Sequence, residues 1–400
     1  MGSLLCSVAH AIEENSRRES DVSMECSTQA RSLWVSYLSN FKNYIQLENF
    51  LVRSKGKKSS KMKPSIFERE LFKQFRIGIP ILESVKSREV PVVNDIQELL
   101  KKLEDMVAKL NQEKNYDSIS ALYNLIKLYD VKKTENPNIN LKQTYSEYAP
   151  STIDEIYEGA SNCVGLSQEL VNRIKEDLPH LHPYLVPSTL EVKNKHKGDL
   201  NFHHTAVIIK VRYLDNKKTL NGVILLDPGW FFPRPFFISR GQRVHYKDDK
   251  GNKNWTFAFK QNNPLIIWEK SEGHERPEKQ YFSVQYEIKN PDESITKPFI
   301  LSRDTYYLGA FKGEGKLEAG LAINIDQKKI NFINSKIKKD FYFDELELLK
   351  NEMNEEFLRH FKLTRSEMLE RLQLIIKYLP ELQQLRKDFL SAQNSHRNFQ

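Results

Sequence analysis

Apolar residues in the first half of the chain recur at intervals of three and four, the period of one helix face. After Asn94, which suits an N-cap position, this spacing predicts an amphipathic helix over residues 94–111. The same spacing returns in residues 119–129. We therefore expect residues 64–130 to form a helical layer, and residues 132–150, rich in Asn, Pro and Thr, to form a linker.

The middle of the chain changes to the short, β-branched and alternating runs that are typical of strands. Two apolar runs, residues 206–211 and 223–227, are joined by the polar stretch 214–221 and predict an antiparallel strand pair. Each strand must bury one face, so this half is expected to form an antiparallel sheet or barrel. Further strands are predicted at residues 255–259, 265–268, 282–288, 305–311, 317–323 and 330–333.

The helical period returns after about residue 340. Apolar residues between 346 and 361 line one stripe, and Thr364 with Glu367 forms a Thr-x-x-Glu capping box before a second helix. Pro380 either ends that helix or starts a further short one that runs through Phe389.

These changes of period predict an α+β chain with four segments. We expect a flexible N-terminus with a basic linker in residues 1–63 and a helical region in 64–150. A core with a β-rich second half follows in residues 151–335, and C-terminal helices occupy 336–400.

Composition limits the class of protein. With 400 residues, 39% hydrophobic and 28% charged, the sequence predicts a soluble globular chain of about two or three domains. Its aliphatic runs are far shorter than the roughly 20 apolar residues of a membrane-spanning helix. A net charge of +8 permits an anionic, phosphorylated partner and gives no reason to expect nucleic acid. The basic run in residues 53–63 is interpreted as a solvated linker rather than a nuclear signal.

The cysteines indicate a reducing compartment. Cys6, Cys26 and Cys163 cannot form a disulfide framework and contain no C-x-x-C pair, so we expect an intracellular, cytoplasmic protein. Gly2 is a candidate for lipidation, but Cys6 stands where the motif requires Ser or Thr. The sequence therefore favours a plain terminus over membrane association.

Cys163 is the candidate nucleophile. It follows Ser161 and Asn162, both suited to capping, and precedes apolar residues with helical spacing, which places it in the first turn of a helix. The partial positive charge of a helix N-terminus lowers a thiol pKa, and its N–H groups can hold an oxyanion. The alternative is a small buried cysteine packed at a helix start.

Two further features supply a base and an acid. His203 and His204 open an apolar strand, and adjacent strand residues face opposite sides, so we expect only one of them to reach Cys163. Asp227 closes the next strand and can hold that histidine in one tautomer, or else it simply begins a turn. A metal site at the histidine pair is disfavoured because no carboxylates lie close by in the sequence. No metal is expected.

This ordered set resembles the arylamine N-acetyltransferase and transglutaminase-like branch of the papain-like cysteine enzymes. His204-Thr-Ala-Val-Ile-Ile and Leu-Leu-Asp227-Pro-Gly-Trp-Phe are similar to the acetyltransferase pattern of a His-led strand and an Asp-Val-Gly-Phe-Gly turn. The resemblance covers roughly residues 150–335 and favours His204 over His203 as the base. It implies a papain-like cysteine helix with an antiparallel sheet or barrel, and catalytic roles for Cys163, His204 and Asp227.

The sequence also departs from that family. Gly159-Ala-Ser-Asn precedes Cys163, where the acetyltransferases carry Arg-Gly-Gly, and the gap from His204 to Asp227 is longer than usual. The three roles survive these differences, whereas the acyl donor and acceptor pockets do not transfer. Acetyl-CoA or another acyl-CoA as cosubstrate, with no bound cofactor, is thus implied by the resemblance alone.

The resulting hypothesis is an acyltransferase. Cys163 would form a thioester, His204 would move protons, Asp227 would orient His204, and a small-molecule amine would collect the acyl group. The same residues suit transglutaminase-like or protease-like amide chemistry. A non-catalytic scaffold that retains the fold, with the basic linker and C-terminal helices binding partners, is the alternative from another class.

Overall fold

The computed structural model describes most of the chain between residues 90 and 398 and two short earlier strands. The described residues are 47–48, 82–84, 90–148, 160–191, 204–215, 218–230, 234–248, 253–259, 265–272, 278–284, 286–288, 297–312, 316–334 and 337–398. His203, Gly2, Cys6, Cys26 and the basic run 53–63 lie outside them. Within the described part, no helix is both long enough and apolar enough to cross a membrane.

The described residues form the following α-helices and β-strands. The helices are α1 (Ile96–Glu113), α2 (Ile119–Glu135), α3 (Leu141–Glu147), α4 (Cys163–Asp177), α5 (Lys297–Ser302), α6 (Leu346–Glu352), α7 (Glu355–Arg359), α8 (Arg365–Lys377) and α9 (Leu379–Asn398). The strands are β1 (Leu47–Glu48), β2 (Leu82–Ser84), β3 (Val92–Val93), β4 (Asn115–Asp117), β5 (Ala160–Ser161), β6 (Pro183–Glu191), β7 (His204–Asp215), β8 (Lys218–Leu226), β9 (Phe236–Ser239), β10 (Arg243–Asp248), β11 (Lys253–Phe259), β12 (Leu265–Glu272), β13 (Glu278–Ser283), β14 (Tyr286–Ile288), β15 (Thr305–Lys312), β16 (Lys316–Asn324), β17 (Lys329–Asn334) and β18 (Ile337–Tyr342).

The larger sheet is antiparallel except for one short strand, and it curls into a nearly closed barrel. Its described strands follow the order β1-β10-β11-β12-β13-β6-β7-β8-β9, and β3 pairs with β7 in parallel. The path returns on itself because the short turn 240–242 connects β9, its last strand, to β10 near its start, and the Gly241 N–H in that turn donates to the Phe259 carbonyl of β11 at 2.6 Å. Phe236 of β9 also stacks on Phe257 of β11, with ring centroids 4.5 Å apart. The predicted sheet or barrel, and the β7–β8 pair within it, are confirmed.

The second sheet joins distant parts of the sequence. Its order is β18-β17-β16-β15-β4-β5, so strands from residues 305–342 pair with β4, which in turn pairs with β5. Helices α2, α6, α7, α8 and α9 contribute to the apolar core on this sheet, which includes Leu125, Phe332, Phe357 and Leu372. The fold is therefore mixed helix and antiparallel sheet, and the second sheet reaches the start of α4.

The predicted linker over residues 132–150 is wrong. Helix α2 runs past its start and α3 lies within it. The Gln143 N–H donates to the Asn140 side chain at 2.9 Å and the Asn140 N–H donates to the Gln143 side chain at 3.1 Å, forming a capping box. Leu141 is buried beneath this cap. Local capping and one buried face outweigh a composition typical of loops.

The N-cap of α1 is Asp95 rather than the predicted Asn94. The Asp95 carboxylate accepts hydrogen bonds from the N–H groups of Gln97 and Glu98 at 2.9 and 3.0 Å. A carboxylate there also meets the positive end of the helix dipole. Of residues 64–89 the structure describes only 82–84, which form β2, and β4 interrupts the described part of the predicted helical layer.

Strand boundaries in the barrel differ from the prediction in two places. The polar stretch 214–221 is largely strand, since β7 and β8 continue until Asp215 pairs with Lys218. The predicted strand 282–288 is two strands in different sheets, because β13 pairs with β12 and β6 whereas β14 pairs with β2.

The predicted C-terminal helices are confirmed with one correction. The stripe between residues 346 and 361 divides into α6 and α7, because the Asn354 side chain accepts from the Phe357 N–H at 2.8 Å and starts a new helix. The Thr364 and Glu367 capping box is present at α8. Pro380 lies in the first turn of α9, where a missing N–H removes no intrahelical bond. The division into four segments stays a prediction.

Truncation of Phe357 tests the core that supports the second sheet. Phe357 is fully buried, and its ring centroid lies 4.6 Å from Phe332 and 5.0 Å from Phe361. We expect Phe357→Ala to lower the free energy of unfolding by about 3–5 kcal/mol, measured by urea denaturation. Leu348→Ala, at a residue that is 56% exposed, serves as the control and should change it by less than about 0.5 kcal/mol. Equal effects of both variants would contradict this packing.

Candidate active site

Cys163 is the first residue of α4, as the sequence predicts. The Asn162 side chain accepts hydrogen bonds from the N–H groups of Val164 and Gly165 at 2.9 and 3.1 Å, which makes Asn162 the N-cap. Strand β5 ends immediately before this cap, so the second sheet fixes the chain that enters the helix. The thiol is therefore held at the positive end of a helix dipole and is 1% exposed.

The cap restricts which amides can stabilise an oxyanion. The sequence predicts that N–H groups of the first turn are available, but those of Val164 and Gly165 already donate to Asn162. The Leu166 N–H donates to the Asn162 carbonyl at 2.9 Å. The N–H of Cys163 itself is the first-turn donor that these capping bonds do not use.

Hydrogen bonds tie the start of α4 to strand β7. The Thr205 hydroxyl donates to the Cys163 carbonyl at 2.9 Å, and the Ser167 hydroxyl donates to the Thr205 carbonyl at 3.3 Å. Both side chains are fully buried. Because Thr205 follows His204 directly, these bonds fix the helix start beside the histidine.

His204 and Asp227 form a buried ion pair. The His204 Nε2 atom lies 2.7 Å from Oδ1 and 2.8 Å from Oδ2 of Asp227, and the two side chains are 6% and 2% exposed. His204 opens β7, and Asp227 follows the last residue of β8, as the sequence predicts. With Nε2 bound to the carboxylate, Nδ1 is the ring nitrogen that remains for the thiol.

The backbone of His204 is held from the barrel side. The Ser188 hydroxyl donates to the His204 carbonyl at 3.3 Å, and the Gln280 side-chain amide donates to the Ser188 oxygen at 2.6 Å. Ser188 lies on β6, which is the neighbour of β7 in the sheet, and Gln280 lies on β13, which is the next strand beyond β6. Three adjacent strands thus fix the position of the imidazole.

The electrostatics of the site favour a thiolate and an imidazolium. Burial would raise the pKa of Cys163, but the hydrogen bond and charge of His204, with a contribution from Arg303, lower it below its ordinary value. Burial would lower the pKa of His204, but the charge and hydrogen bond of Asp227 raise it to about 9, with further help from Cys163. At neutral pH both ring nitrogens of His204 are therefore protonated.

Gly229 packs closely against Cys163 and His204. A Cβ atom at this position would lie 2.6 Å from Cys163 Cβ, 2.8 Å from Cys163 Cα and 3.0 Å from His204 Cε1. Only a residue without a side chain fits there. The Pro-Gly pair after Asp227 was visible in the sequence, where it indicated a turn rather than this close approach.

Two charged or polar residues near the site were missed by sequence reasoning. Arg303 interacts electrostatically with Cys163, and Arg303 Nη1 donates to the Tyr116 hydroxyl at 3.3 Å. Both come from the second sheet and its connections, far from Cys163 in the sequence. No local spacing links them, and only the pairing of β15, β4 and β5 brings them to the helix start.

Solved structures of arylamine N-acetyltransferases are similar to this chain. The M. smegmatis protein has a TM-score of 0.40 and 11% identity, with 75% of this chain and 96% of that chain covered. The Salmonella typhimurium protein has the same TM-score and identity, with 78% and 99% covered. The Mycobacterium marinum protein in complex with CoA has a TM-score of 0.40 and 10% identity, with 68% and 92% covered.

No protein-family model matches the chain, and no match was found among curated proteins. Similarity to solved structures at this level assigns no activity.

Substitution of Gly229 tests the close packing of the site. Because a methyl group would contact Cys163 backbone and side-chain atoms, we expect Gly229→Ala to separate the thiol from His204. Alkylation of Cys163 by iodoacetamide at pH 6.5 should slow by about tenfold or more, since the thiolate loses its partner. Mass spectrometry of the Cys163 peptide measures this rate.

Gly320→Ala is the matched control for that substitution. Its Cβ would lie 3.1 Å from the Leu308 carbonyl oxygen in the second sheet, which is also a tight fit. It should lower the melting temperature without changing the alkylation rate of Cys163. An equal rate in wild type and Gly229→Ala would contradict the packing described here.

Removal of the Asp227 charge should shift the pH profile of Cys163. Asp227→Asn takes away the charge that raises the pKa of His204, so the imidazolium loses its proton at lower pH. A neutral imidazole no longer stabilises the thiolate, and the pKa of Cys163 rises. We expect the midpoint of iodoacetamide alkylation between pH 5 and 10 to move upward by about one unit or more.

Asp105→Asn provides the charge-matched control, because Asp105 lies on α1 and its side chain is 65% exposed. Its alkylation profile should match that of the wild type. An unchanged midpoint in Asp227→Asn would show that the carboxylate does not govern the thiol.

Proposed function

We propose that the protein is a cysteine-dependent acyltransferase in which Cys163, His204 and Asp227 form a catalytic triad. One observation carries the proposal: the His204 imidazole bonds through Nε2 to a buried carboxylate at 2.7 Å and also hydrogen-bonds the Cys163 thiol at a helix N-terminus. A buried charge pair of this kind is costly to maintain unless it is well hydrogen-bonded. A cysteine with a purely structural role needs neither the imidazole nor the carboxylate, since a thiol packs as a small apolar group.

The first half of the reaction transfers an acyl group to sulfur. The Cys163 thiolate attacks the carbonyl carbon of a thioester donor, and the carbonyl oxygen becomes an oxyanion that the Cys163 N–H can stabilise. Collapse of this intermediate breaks the bond to the donor sulfur. His204 Nδ1 gives its proton to that leaving thiolate, which departs as a thiol, and a thioester remains on Cys163.

The second half transfers the acyl group to an acceptor. An amine attacks the Cys163 thioester, and the neutral Nδ1 of His204 accepts the proton that the amine loses. The Cys163 sulfur leaves as a thiolate, which restores the ion pair with the imidazolium. Asp227 keeps its hydrogen bond to Nε2 throughout and stabilises the positive ring in both resting and product states.

The donor class is the finer part of the proposal. Acetyl-CoA or another acyl-CoA is proposed as donor and a small-molecule amine as acceptor, because the His204 and Asp227 motifs resemble the arylamine N-acetyltransferases. Among the similar structures, that of the M. marinum protein is a complex with CoA. A peptide or glutamine amide would require the same three residues, and is an outcome that the experiment distinguishes.

The decisive test is detection of an acyl adduct on Cys163. The wild-type protein is incubated with acetyl-CoA, or with a glutamine-containing peptide, and its intact mass and Cys163 peptide are measured. We expect an acetyl adduct with acetyl-CoA, and its discharge when an aromatic amine is added. His204→Ala should slow adduct formation by about 10²–10⁴-fold, since it removes the general acid and base.

Cys6→Ser and Cys26→Ser are the controls, because they remove the other two thiols of the chain. Both should keep the adduct, whereas Cys163→Ser should lose it. An adduct with the peptide alone would replace acyl-CoA by amide chemistry. If no donor labels Cys163 and Cys163→Ser keeps every measured function, the protein is a scaffold and the proposal fails.

A further inference from the structure

A cavity of about 270 Å³ lies at the end of the barrel where several strands stop. Arg240 follows β9, Phe259 ends β11 and Val284 follows β13, and all three line the cavity. Strands β7 and β8 contribute Lys210 and Val223 to the same lining. The cavity therefore combines apolar walls with two basic side chains.

The cavity lies far from the candidate active site along β7. His204 is the first residue of this strand, and Lys210 follows it six residues later. A strand rises about 3.3 Å per residue, so about 20 Å separate the two Cα atoms. The cavity is a separate site, and ligand binding there does not depend on the proposed acyl transfer.

Hydrogen bonds fix the walls of the cavity. The Arg240 N–H donates to the carbonyl of Asn221, a second lining residue, at 2.9 Å. The Tyr184 hydroxyl, on β6, donates to the Val284 carbonyl at 2.8 Å. Pockets for small molecules are usually formed before the ligand arrives, and these bonds give the cavity such a fixed frame.

The lining changes from polar at the rim to apolar inside. Arg240 is exposed and Lys210 is half-buried, whereas Val223 and Phe259 are buried. A ligand with a polar end and an apolar body fits this gradient, because its apolar body leaves water while its polar end stays near the rim.

Aromatic rings hold both basic side chains at the cavity. The Lys210 Nζ atom lies 5.6 Å from the centroid of the Tyr184 ring, and the Arg240 guanidinium carbon lies 5.8 Å from the centroid of the Phe259 ring. Both distances suit a cation–π interaction. Lys210 and Arg240 are therefore positioned to contact the same ligand.

The charges around Lys210 favour an anion in the cavity. Burial lowers the pKa of Lys210; the Glu287 carboxylate opposes this change, whereas the Arg240 charge adds to it. Glu287 is buried on β14, outside the described lining. That lining presents two basic side chains and no acidic one to a ligand, so an anion there would favour the charged form of Lys210.

The volume and the walls indicate a small aliphatic ligand. Liquid water occupies about 30 Å³ per molecule, so a cavity of about 270 Å³ has room for roughly nine non-hydrogen atoms. Besides Phe259, the apolar wall consists of valines: Val90, Val211, Val223 and Val284. Such walls offer a hydrocarbon chain close packing contacts but no side-chain hydrogen bonds.

We propose that this cavity binds an aliphatic carboxylate of about this size, with its carboxylate between Lys210 and Arg240 and its chain against the valines. Lysine and arginine side chains carry hydrogen-bond donors only, so they match a carboxylate, which only accepts. Hydrogen bonds between such charged partners are roughly twice as strong as neutral ones. An amide of the same shape lacks this attraction.

Heptanoate and heptanamide form the probe pair, because they share this size and shape but differ in charge. Their dissociation constants are measured by ligand-observed proton NMR at neutral pH and low salt. We expect heptanoate to bind at about 1 mM or tighter, and about tenfold more tightly than heptanamide. Added salt should narrow that difference.

Substitutions locate the bound carboxylate. Lys210→Met should weaken heptanoate binding by about tenfold and leave heptanamide binding nearly unchanged. Arg240→Gln should weaken heptanoate binding by about threefold, since an exposed charge contributes less. Lys109→Met and Arg243→Gln are the matched controls, because their side chains are 72% and 53% exposed and lie outside the described lining. Both controls, and Cys163→Ser, should bind heptanoate as the wild type does.

Equal affinity for heptanoate and heptanamide, or no heptanoate binding below about 10 mM, would overturn the inference. Unchanged heptanoate binding in both Lys210→Met and Arg240→Gln would do the same. If Lys210→Met does not fold by circular dichroism, Arg240→Gln decides, because that side chain is exposed. Weaker binding in Cys163→Ser alone would place heptanoate in the active site and contradict a separate cavity site.

Discussion

Burial of a carboxylate beside an imidazole is the constraint on which the site depends. Asp227 is 2% exposed, and a lone charge buried to this extent would be strongly destabilising. His204 must therefore lie within hydrogen-bonding distance of the carboxylate. The β7–β8 pairing brings the two strand ends together, and the Gln280 and Ser188 hydrogen bonds fix the His204 backbone. Gly229 then allows the thiol to approach the same ring, because no side chain intervenes.

Two sheets meet at Cys163. The barrel supplies His204 and Asp227, while the second sheet ends in β5 and leads through Asn162 into α4. The helix start is therefore fixed by strand pairing on one side and by the Thr205 hydroxyl on the other. Neither sheet alone sets the distance between thiol and imidazole, so the geometry of the site depends on both sheets.

The sequence predicted what depends on local pattern and missed what depends on tertiary contact. Asn162 before Cys163, the apolar strand after His204 and the strand that ends before Asp227 are local signals, and each appears in the structure. Strand β6 was not predicted because Pro183 and Pro187 interrupt its pattern.

Tertiary contacts explain why the sequence did not predict the residues that surround Cys163 from the second sheet. Arg303 and Tyr116 have no motif of their own, and their place beside the site follows only from the order β15-β4-β5. Tyr307, on β15, has its pKa raised to about 12 by burial, and burial likewise raises the pKa of Tyr116. Both tyrosines therefore stay neutral near pH 7 and supply hydroxyl groups without adding charge. The protonation of Cys163 and His204 can then govern the site as a single equilibrium, because its tyrosine and arginine neighbours do not change charge in that range.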